Sequence, residues 1–181
     1  MEKKTEILKI ALKEFAKNGY ENTSLEVIAK KCNITKPAIY YHFKSKQQLY
    51  SQIFIDKFNL CNLKLSSNLE ENIKNHIDIM SQILCENFSK LFIKELSNEL
   101  NNLNDEAFNK VTNSIKTLTK ILKETNINPF FIQTLIVSSL TTYYNSINLR
   151  KRISKEINVE DEFNIKEEIT TLILNYIKEK E

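Results

Sequence analysis

The amino-acid sequence predicts an all-α protein. Glycine occurs once among 181 residues, at Gly19, and proline occurs twice, at Pro37 and Pro129. Sheet-rich folds need many turn residues and phosphate-cradling loops need glycine, so both are disfavoured. Apolar residues recur through most of the chain at the three- and four-residue spacing of amphipathic helices. We therefore expect about nine helices, with one domain over residues 1–46 and a second over residues 47–181.

Composition excludes several classes of protein. Hydrophobic residues make up 41% of the chain, which is enough to bury a core. No apolar run approaches the roughly 20 residues that a membrane span requires. The charged N-terminus leads directly into a helical pattern without a signal peptide, so we expect a cytoplasmic protein with no membrane partner. The three cysteines, Cys32, Cys61 and Cys85, are odd in number and form no CxxC pair. They indicate buried free thiols, and we expect no disulfide, metal or cofactor.

Charge is distributed unevenly along the chain. Residues 1–50 hold ten lysines and five glutamates, whereas residues 51–181 hold 16 basic and 18 acidic side chains. The cationic excess lies in the N-terminal quarter, which is where a polyanion could dock.

The first two predicted helices have defined ends. Apolar residues at helical spacing, from Ile7 to Phe15, form the first helix, which ends before Gly19. Thr23 and Glu26 have the spacing of a capping box, in which the Thr23 hydroxyl accepts from the Glu26 amide at the start of the second helix.

The next elements predict a helix-turn-helix. Asn33 suits a left-handed turn after the second helix, and Thr35 can cap a short helix over residues 36–42. Ser45 to Gln48 is a second capping box that starts a helix reaching about residue 65. Two short helices joined by a turn of three or four residues, behind a longer helix, are typical of this motif.

The segment from Thr23 to Tyr50 resembles the DNA-binding signature of the TetR family of transcriptional regulators. Asn33 departs from the family pattern, which usually has glycine there, but asparagine can adopt the same turn. The matching residues are Gly19, Tyr20, Thr23, Ile28, Ala29, Ile34, Thr35, Lys36, Ile39, Tyr40, His42, Phe43, Ser45 and Lys46.

The resemblance implies a double-stranded DNA partner, with the helix over 36–42 in the major groove. Bases would meet the start of this helix, at Thr35, Lys36, Pro37 and Ala38. Phosphates would meet Thr23, Tyr40, His42 and Lys46, while Tyr41 occupies a variable family position and could contact either. Lys36 is long enough to reach guanine acceptors. The alternative for Tyr40 and Tyr41 is packing against the first helix, with their hydroxyls at the surface.

The remainder of the chain predicts further amphipathic helices and a polar loop over residues 150–162. The basic cluster in that loop suggests either a second nucleic-acid surface or, more commonly, cations at a helix C-terminus. The expected helices cover 69–87, 89–101, 104–124, 129–149 and 163–179.

The last two helices carry the strongest apolar stripes. In the family such a pair meets its two-fold mate, so the resemblance implies a homodimer on a near-palindromic operator. The alternative is packing against the chain's own body, and we expect each stripe to do some of both. The predicted interface comprises Ile132, Ile136, Leu140, Tyr143, Ile165, Ile169, Leu172 and Tyr176.

The resemblance also implies an effector cavity among the central helices. Because the candidate lining has few charges, we expect a mostly apolar cavity and a hydrophobic small molecule, either neutral or cationic. The same residue types at helical spacing are usually core, so core packing is the alternative. His76 with Cys61 or Cys85 lacks the spacing of a metal site. The candidates are Phe58, Cys61, His76, Met80, Cys85, Phe88, Phe92, Phe108 and Tyr144.

The favoured function is a ligand-responsive DNA-binding repressor. An architectural DNA-binding protein without a ligand shares the N-terminal prediction but needs no cavity. A small helical enzyme is the third hypothesis, and the sequence offers it no nucleophile–base pair, metal motif or glycine-rich loop.

Overall fold

The computed structural model describes residues 2–180, with the backbone alone at Glu86. Over this range the chain forms ten helices and no strand, which confirms the all-α prediction. The helices are α1 (Glu2–Asn18), α2 (Leu25–Lys31), α3 (Lys36–His42), α4 (Lys46–Phe58), α5 (Leu69–Ile83), α6 (Glu86–Leu96), α7 (Asp105–Ile121), α8 (Pro129–Asn145), α9 (Ile147–Ile157) and α10 (Ile165–Lys180).

The chain divides into two compact units. The first runs to Asn59 and resumes over Lys90–Thr112, and the second comprises Leu60–Ser89 and the chain from Asn113 onward. The divisions fall inside α6 and α7, so each of these helices contributes to both units. Each unit has its own buried apolar core. Core residues include Ile7, Phe15, Ile28, Leu49 and Phe54 in the first unit, and Ile73, Met80, Leu118, Ile136 and Ile173 in the second.

Local signals set the helix ends in the first unit. Gly19 takes a φ of 81° and donates its amide to the Phe15 carbonyl at 2.8 Å, which ends α1 as expected. The Ser45 hydroxyl accepts from the Gln48 amide at 3.0 Å and starts α4. The prediction that α4 continues to about residue 65 is wrong, because the helix ends at Phe58. Asn59 and Asn62 follow, and asparagine competes with helical hydrogen bonds through its own side chain.

The predicted loop over residues 150–162 is also wrong over its first half. α9 occupies Ile147–Ile157 and ends where Asn158 adopts a left-handed conformation with a φ of 52°. Leu149, Ile153 and Ile157 repeat every four residues along one exposed face of this helix. The density of charged residues between them concealed that period.

Two further expectations concern the burial of the cysteines and the absence of a membrane span. Cys32 is buried as predicted, but Cys61 and Cys85 are only half-buried, and burial raises the pKa of the Cys61 thiol to about 11. Among the described residues, no helix combines the length and apolar content that crossing a membrane requires.

Candidate DNA interface

The turn between α2 and α3 fixes the geometry of the helix-turn-helix. Asn33 adopts the predicted left-handed conformation, with a φ of 52°. The amide of Ile34 donates to the Ala29 carbonyl at 3.0 Å and folds the turn back onto α2. Residues 32–35 alone therefore separate two short helices.

α3 is anchored on one side and open on the other. Ile39 and the following Phe43 are fully buried. On the open side Tyr41 is 87% exposed and Tyr40 is 46% exposed. The ring of Tyr41 meets the half-buried His42 edge-on, with centroids 5.1 Å apart. This exposure favours contact with a partner over packing within the chain.

The N-terminal turn of α3 is accessible as well. Thr35, Pro37 and the Lys36 side chain are exposed, and Ala38 is half-buried. The Thr35 carbonyl accepts from the amides of Ala38 at 3.1 Å and Ile39 at 3.4 Å, while its side chain makes no capping hydrogen bond. The Thr35 hydroxyl is thus not committed to the helix that it begins.

The start of α2 differs from the predicted capping box. Ser24 is the N-cap, and its hydroxyl accepts from the Val27 amide at 3.2 Å. Thr23 lies one residue earlier and is 2% exposed, and its hydroxyl donates to the Gly19 carbonyl at 2.7 Å. The predicted cap at Thr23 is therefore wrong by one residue, and this hydroxyl is turned into the chain. Ser24, which sequence reasoning missed, is exposed.

Lys46 is held at the surface near the end of α1. Its ammonium lies 4.3 Å from the centre of the Tyr20 ring and donates to the Glu21 carbonyl at 3.3 Å. A cation over an aromatic face is stabilised by the ring quadrupole. These two contacts restrain the position of the ammonium at the surface.

An ion pair joins the first turns of α2 and α3. The Lys36 ammonium donates to Oε1 of Glu26, and both side chains are exposed. This hydrogen bond is the main cause that lowers the pKa of Glu26 and raises the pKa of Lys36. Sequence reasoning assigned Glu26 to a cap and missed the pair. The available signal was opposite charge in the first turns of two helices joined by a short turn.

α6 supports the scaffold behind this face within the first unit. The Lys94 ammonium donates to two carbonyls in the last turn of α1, those of residues 16 and 17, at 2.8 and 2.9 Å. Such carbonyls lack partners within their own helix. The next residue, Glu95, is 1% exposed and accepts from the Tyr50 hydroxyl of α4 at 2.8 Å. Two consecutive residues of α6 thus hold α1 and α4.

Glu95 is satisfied without a cationic partner among the contacts that the structure describes. Besides the Tyr50 hydroxyl, it accepts from the Asn102 amide at 2.9 Å and the Asn102 side-chain nitrogen at 3.0 Å. Burial and the bond to this carboxylate raise the pKa of Tyr50. A buried carboxylate requires several hydrogen bonds to offset the loss of its hydration, and Glu95 has three.

The residues predicted to line an effector cavity belong to both units. Phe58 and Phe92 pack in the first unit with ring centroids 5.7 Å apart, and Phe108 is 46% exposed. The others lie in the second unit, where His76, Met80 and Phe88 are buried and Cys61, Cys85 and Tyr144 are half-buried.

The contact between α5 and α8 contains polar groups. His76 Nε2 hydrogen-bonds Oε1 of Gln133 at 3.2 Å, and Gln133 Nε2 donates to the Ser114 hydroxyl at 3.4 Å. Further along the same helices, the hydroxyls of Ser81 and Tyr144 lie 2.7 Å apart. Burial lowers the pKa of His76, which favours the neutral imidazole.

Two surface grooves in the second unit are lined by other residues. One, of about 410 Å³, is lined by Ser138, Ser139, Thr142, Tyr143, Ser146, Arg150, Phe163 and Ile165. The other, of about 550 Å³, is lined by Glu70, Lys74, Asp78, Asn164, Lys166, Glu167, Thr170, Thr171 and Leu174. Neither groove uses a predicted effector residue. Among the described side chains, no group of three histidines, cysteines or carboxylates is placed to hold a metal ion.

The predicted dimer residues separate into two sets. Four of them, Ile132, Ile136, Leu140 and Ile169, are buried within the chain itself. Leu172 is 59% exposed, and Tyr143, Ile165 and Tyr176 are half-buried. Phe131, which sequence reasoning missed, is 50% exposed and its ring centroid lies 5.2 Å from that of Tyr176. The exposed large apolar residues of α8 and α10 are thus Phe130, Phe131 and Leu172.

Comparisons with known proteins agree with this architecture. Residues 7–53 match the family model of the bacterial regulatory proteins of the tetR family. The chain is 30% identical over 150 residues to IcaR of Staphylococcus aureus (strain Newman), the negative transcriptional regulator of the biofilm operon icaADBC, covering 81% of this chain and 78% of IcaR. It is 42% identical over 65 residues to the transcriptional regulator AcrR of Shigella flexneri, covering 35% of this chain and 30% of AcrR. The transcriptional regulator FadR from Bacillus subtilis, solved in complex with stearoyl-CoA, has the same fold, with a TM-score of 0.62 and 16% identity over 93% of this chain and 96% of FadR.

Proposed function

Because the chain belongs to the TetR family and is a DNA-binding transcriptional regulator, we propose that it is a homodimeric repressor that a small-molecule effector releases from a near-palindromic operator. The relation to IcaR, itself a negative regulator, supports repression. The single observation that best supports DNA binding through α3 is its open face. This face exposes two tyrosines, while Ile39 and Phe43 are buried and hold the helix in place. Residues 1–46 would bind DNA, and residues 47–181 would bind the effector and the second protomer.

The proposed DNA contacts follow from exposure and chain position. Thr35, Lys36, Pro37 and Ala38 meet base edges, since the first turn of α3 is accessible. Tyr40, Tyr41, His42 and Lys46 meet phosphates, which hold the register without reading sequence. Ser24 replaces Thr23 as the phosphate contact at the start of α2, because the Thr23 hydroxyl is buried and already donates to Gly19.

The proposed dimer uses the part of α8 and α10 that remains apolar at the surface. Phe131, Leu172 and Tyr176 form its centre, and Tyr143 and Ile165 contribute further along the two helices. A two-fold pair of such faces buries each protomer's exposed rings against the other. To bind successive major grooves, the two α3 helices would stand about 34–36 Å apart.

The proposed switch runs through α6 rather than along α4, which ends before residue 65. α6 begins in the second unit and carries Lys94 and Glu95 in the first. A shift of this helix would move α1 and α4 together through those two side chains. By linkage, DNA then weakens effector binding by the same factor as the effector weakens DNA binding.

The proposed effector site lies between α5 and α8. His76, Gln133, Ser81 and Tyr144 offer neutral hydrogen-bonding groups there among apolar neighbours. An uncharged or weakly polar molecule with an apolar body suits this lining better than a cation, because these groups include no carboxylate to pair with a cation.

Selection from a randomised duplex library tests the DNA mode and the dimer together. The full-length protein should enrich a near-palindrome, bind it with strong salt dependence and sediment on it as a dimer. Enrichment of no sequence at all would contradict repression through an operator. Enrichment of a single half-site by a monomer would contradict the dimer and leave the DNA mode standing.

A further inference from the structure

The Glu26–Lys36 pair places a carboxylate on the proposed DNA face. Glu26 lies in the first turn of α2 and Lys36 in the first turn of α3, the two short helices joined by residues 32–35. Their side chains meet across this turn, and both remain exposed to water. The hydrogen bond from Lys36 lowers the pKa of Glu26, so the carboxylate is ionised at neutral pH.

An ionised carboxylate is costly beside DNA. Phosphates repel it, and desolvation removes the water that solvates it in the free protein. Lys36 compensates this charge only while it stays bound to Glu26. If Lys36 turns to a guanine acceptor, Glu26 needs another donor within the groove.

Among the four bases, cytosine presents a major-groove amino donor that matches a carboxylate acceptor. Guanine presents only acceptors on that edge, and thymine presents an acceptor and a methyl group. Adenine also has an amino donor, but its N7 acceptor lies beside it and repels a carboxylate. Lysine and glutamate side by side are therefore suited to a guanine and a cytosine that are close together in the groove.

We propose that Glu26 is a specificity-determining residue, which accepts a hydrogen bond from the N4 amino group of a cytosine near the guanine that Lys36 contacts. This inference rests on the proposed function, because it needs α3 to lie in the major groove. On guanine or thymine the carboxylate is left unpaired, and on adenine it faces the N7 acceptor beside the N6 amino group, so Glu26 also weakens binding to unrelated DNA. Discrimination of this kind acts through a penalty on the wrong sequence.

The test compares Glu26→Gln and Glu26→Ala with the wild-type protein by selection from the same randomised duplex library. Glu26→Ala should lose the cytosine preference at one position of each half-site, with a roughly tenfold loss of discrimination there. Glu26→Gln should shift that position towards adenine, because glutamine pairs with the N6 and N7 edge of adenine. Both variants should bind a duplex without the operator more tightly than the wild type does.

Glu70→Gln is the matched control. Glu70 forms an equally exposed ion pair, with Lys74 on α5, and the hydrogen bond from that lysine likewise lowers its pKa. This variant should leave base preference unchanged. Because Glu26 is exposed, both of its variants should retain the wild-type melting temperature, which separates lost recognition from lost folding.

The outcomes distinguish failure of the proposed function from failure of the proposed role of Glu26. A wild-type protein that enriches no operator overturns the proposed function, and Glu26 with it. A wild-type operator whose base preferences are unchanged in both Glu26 variants overturns the role of Glu26 alone. A uniform gain in affinity on every sequence would assign Glu26 to general repulsion and would also refute base recognition.

Discussion

The helix-turn-helix and the α8–α10 pair expose opposite chemistry over similar anchors. α3 is fixed by the buried Ile39 and presents two tyrosines, a histidine and a lysine towards solvent. α8 and α10 are fixed by buried isoleucines as well, but they show Phe131 and Leu172 instead. Hydroxyls and cations suit phosphates, which stay hydrated at a wet interface, whereas exposed apolar rings and a leucine suit a dry protein contact. The two exposed faces thus point to different partners, DNA for one and a second protomer for the other.

A charge on α10 should produce the largest effect, because it tests the apolar face that we assign to the second protomer. Leu172→Glu places a carboxylate on the exposed face and should give a folded monomer, whose operator affinity falls by at least about 1,000-fold because one half-site is held alone. Sedimentation velocity and fluorescence anisotropy measure the two changes. Ile169→Glu is the contrast, since Ile169 is 2% exposed and a buried charge should unfold the second unit. A dimeric Leu172→Glu protein that keeps full operator affinity would remove α10 from the interface.

Two lysine variants test the proposed DNA face, one for base contact and one for phosphate contact. Lys36→Ala should cost about 1–3 kcal/mol on the best operator and relax preference at particular base pairs. Lys46→Ala should weaken all sequences alike and reduce the slope of log affinity against log salt by about 0.9, the value for one phosphate contact. Anisotropy titrations at several salt concentrations on two duplexes separate these results. Equal, sequence-independent losses in both variants would refute base contact by Lys36.

The sequence predicted α1 to α3 well because each of them is bounded by a local signal. Gly19 and Asn33 adopt left-handed conformations at the expected positions, and α3 covers the predicted residues 36–42. The cap at Ser24 was missed by one residue, since threonine and serine are adjacent and both can cap. Burial of the Thr23 hydroxyl depends on the Gly19 carbonyl, which no pattern in the sequence reveals.

The C-terminal half was less predictable for a different reason. A stripe that faces the chain's own core and a stripe that faces a partner are equally apolar, so Ile136 and Leu172 are alike in sequence and opposite in exposure. The α6 contacts of Lys94 and Glu95 join residues about 45–80 positions apart, beyond any local period. α9 was missed because its cations resemble those of a loop.

Neighbouring hydroxyls at the start of α2 provide a smaller test. Thr23→Val removes a buried donor to the Gly19 carbonyl and should lower the free energy of unfolding by about 1 kcal/mol, with little effect on the salt dependence of DNA binding. Ser24→Ala removes the α2 cap at a similar cost of about 1 kcal/mol. It should also weaken DNA binding on all sequences alike through loss of the phosphate contact, with an unchanged salt slope because a neutral hydroxyl releases no counterion. Urea unfolding and anisotropy titrations distinguish the two variants, and loss of DNA affinity in Thr23→Val alone would return the phosphate contact to Thr23.

The smallest expected effect concerns acid stability in the second unit. Burial holds the pKa of His76 below the 6.5 of an ordinary histidine, so the unfolded chain takes up a proton at a higher pH than the folded chain does. The stability that neutral His76 contributes is therefore present above about pH 6.5 and is lost as the pH falls through the lower folded pKa. His76→Asn keeps a polar side chain towards Gln133 but cannot titrate, so its melting temperature should fall less than that of the wild type between pH 7 and pH 5. Identical acid dependence in the wild type and His76→Asn would show that other groups set it, and that the α5–α8 contact tolerates a charged imidazole.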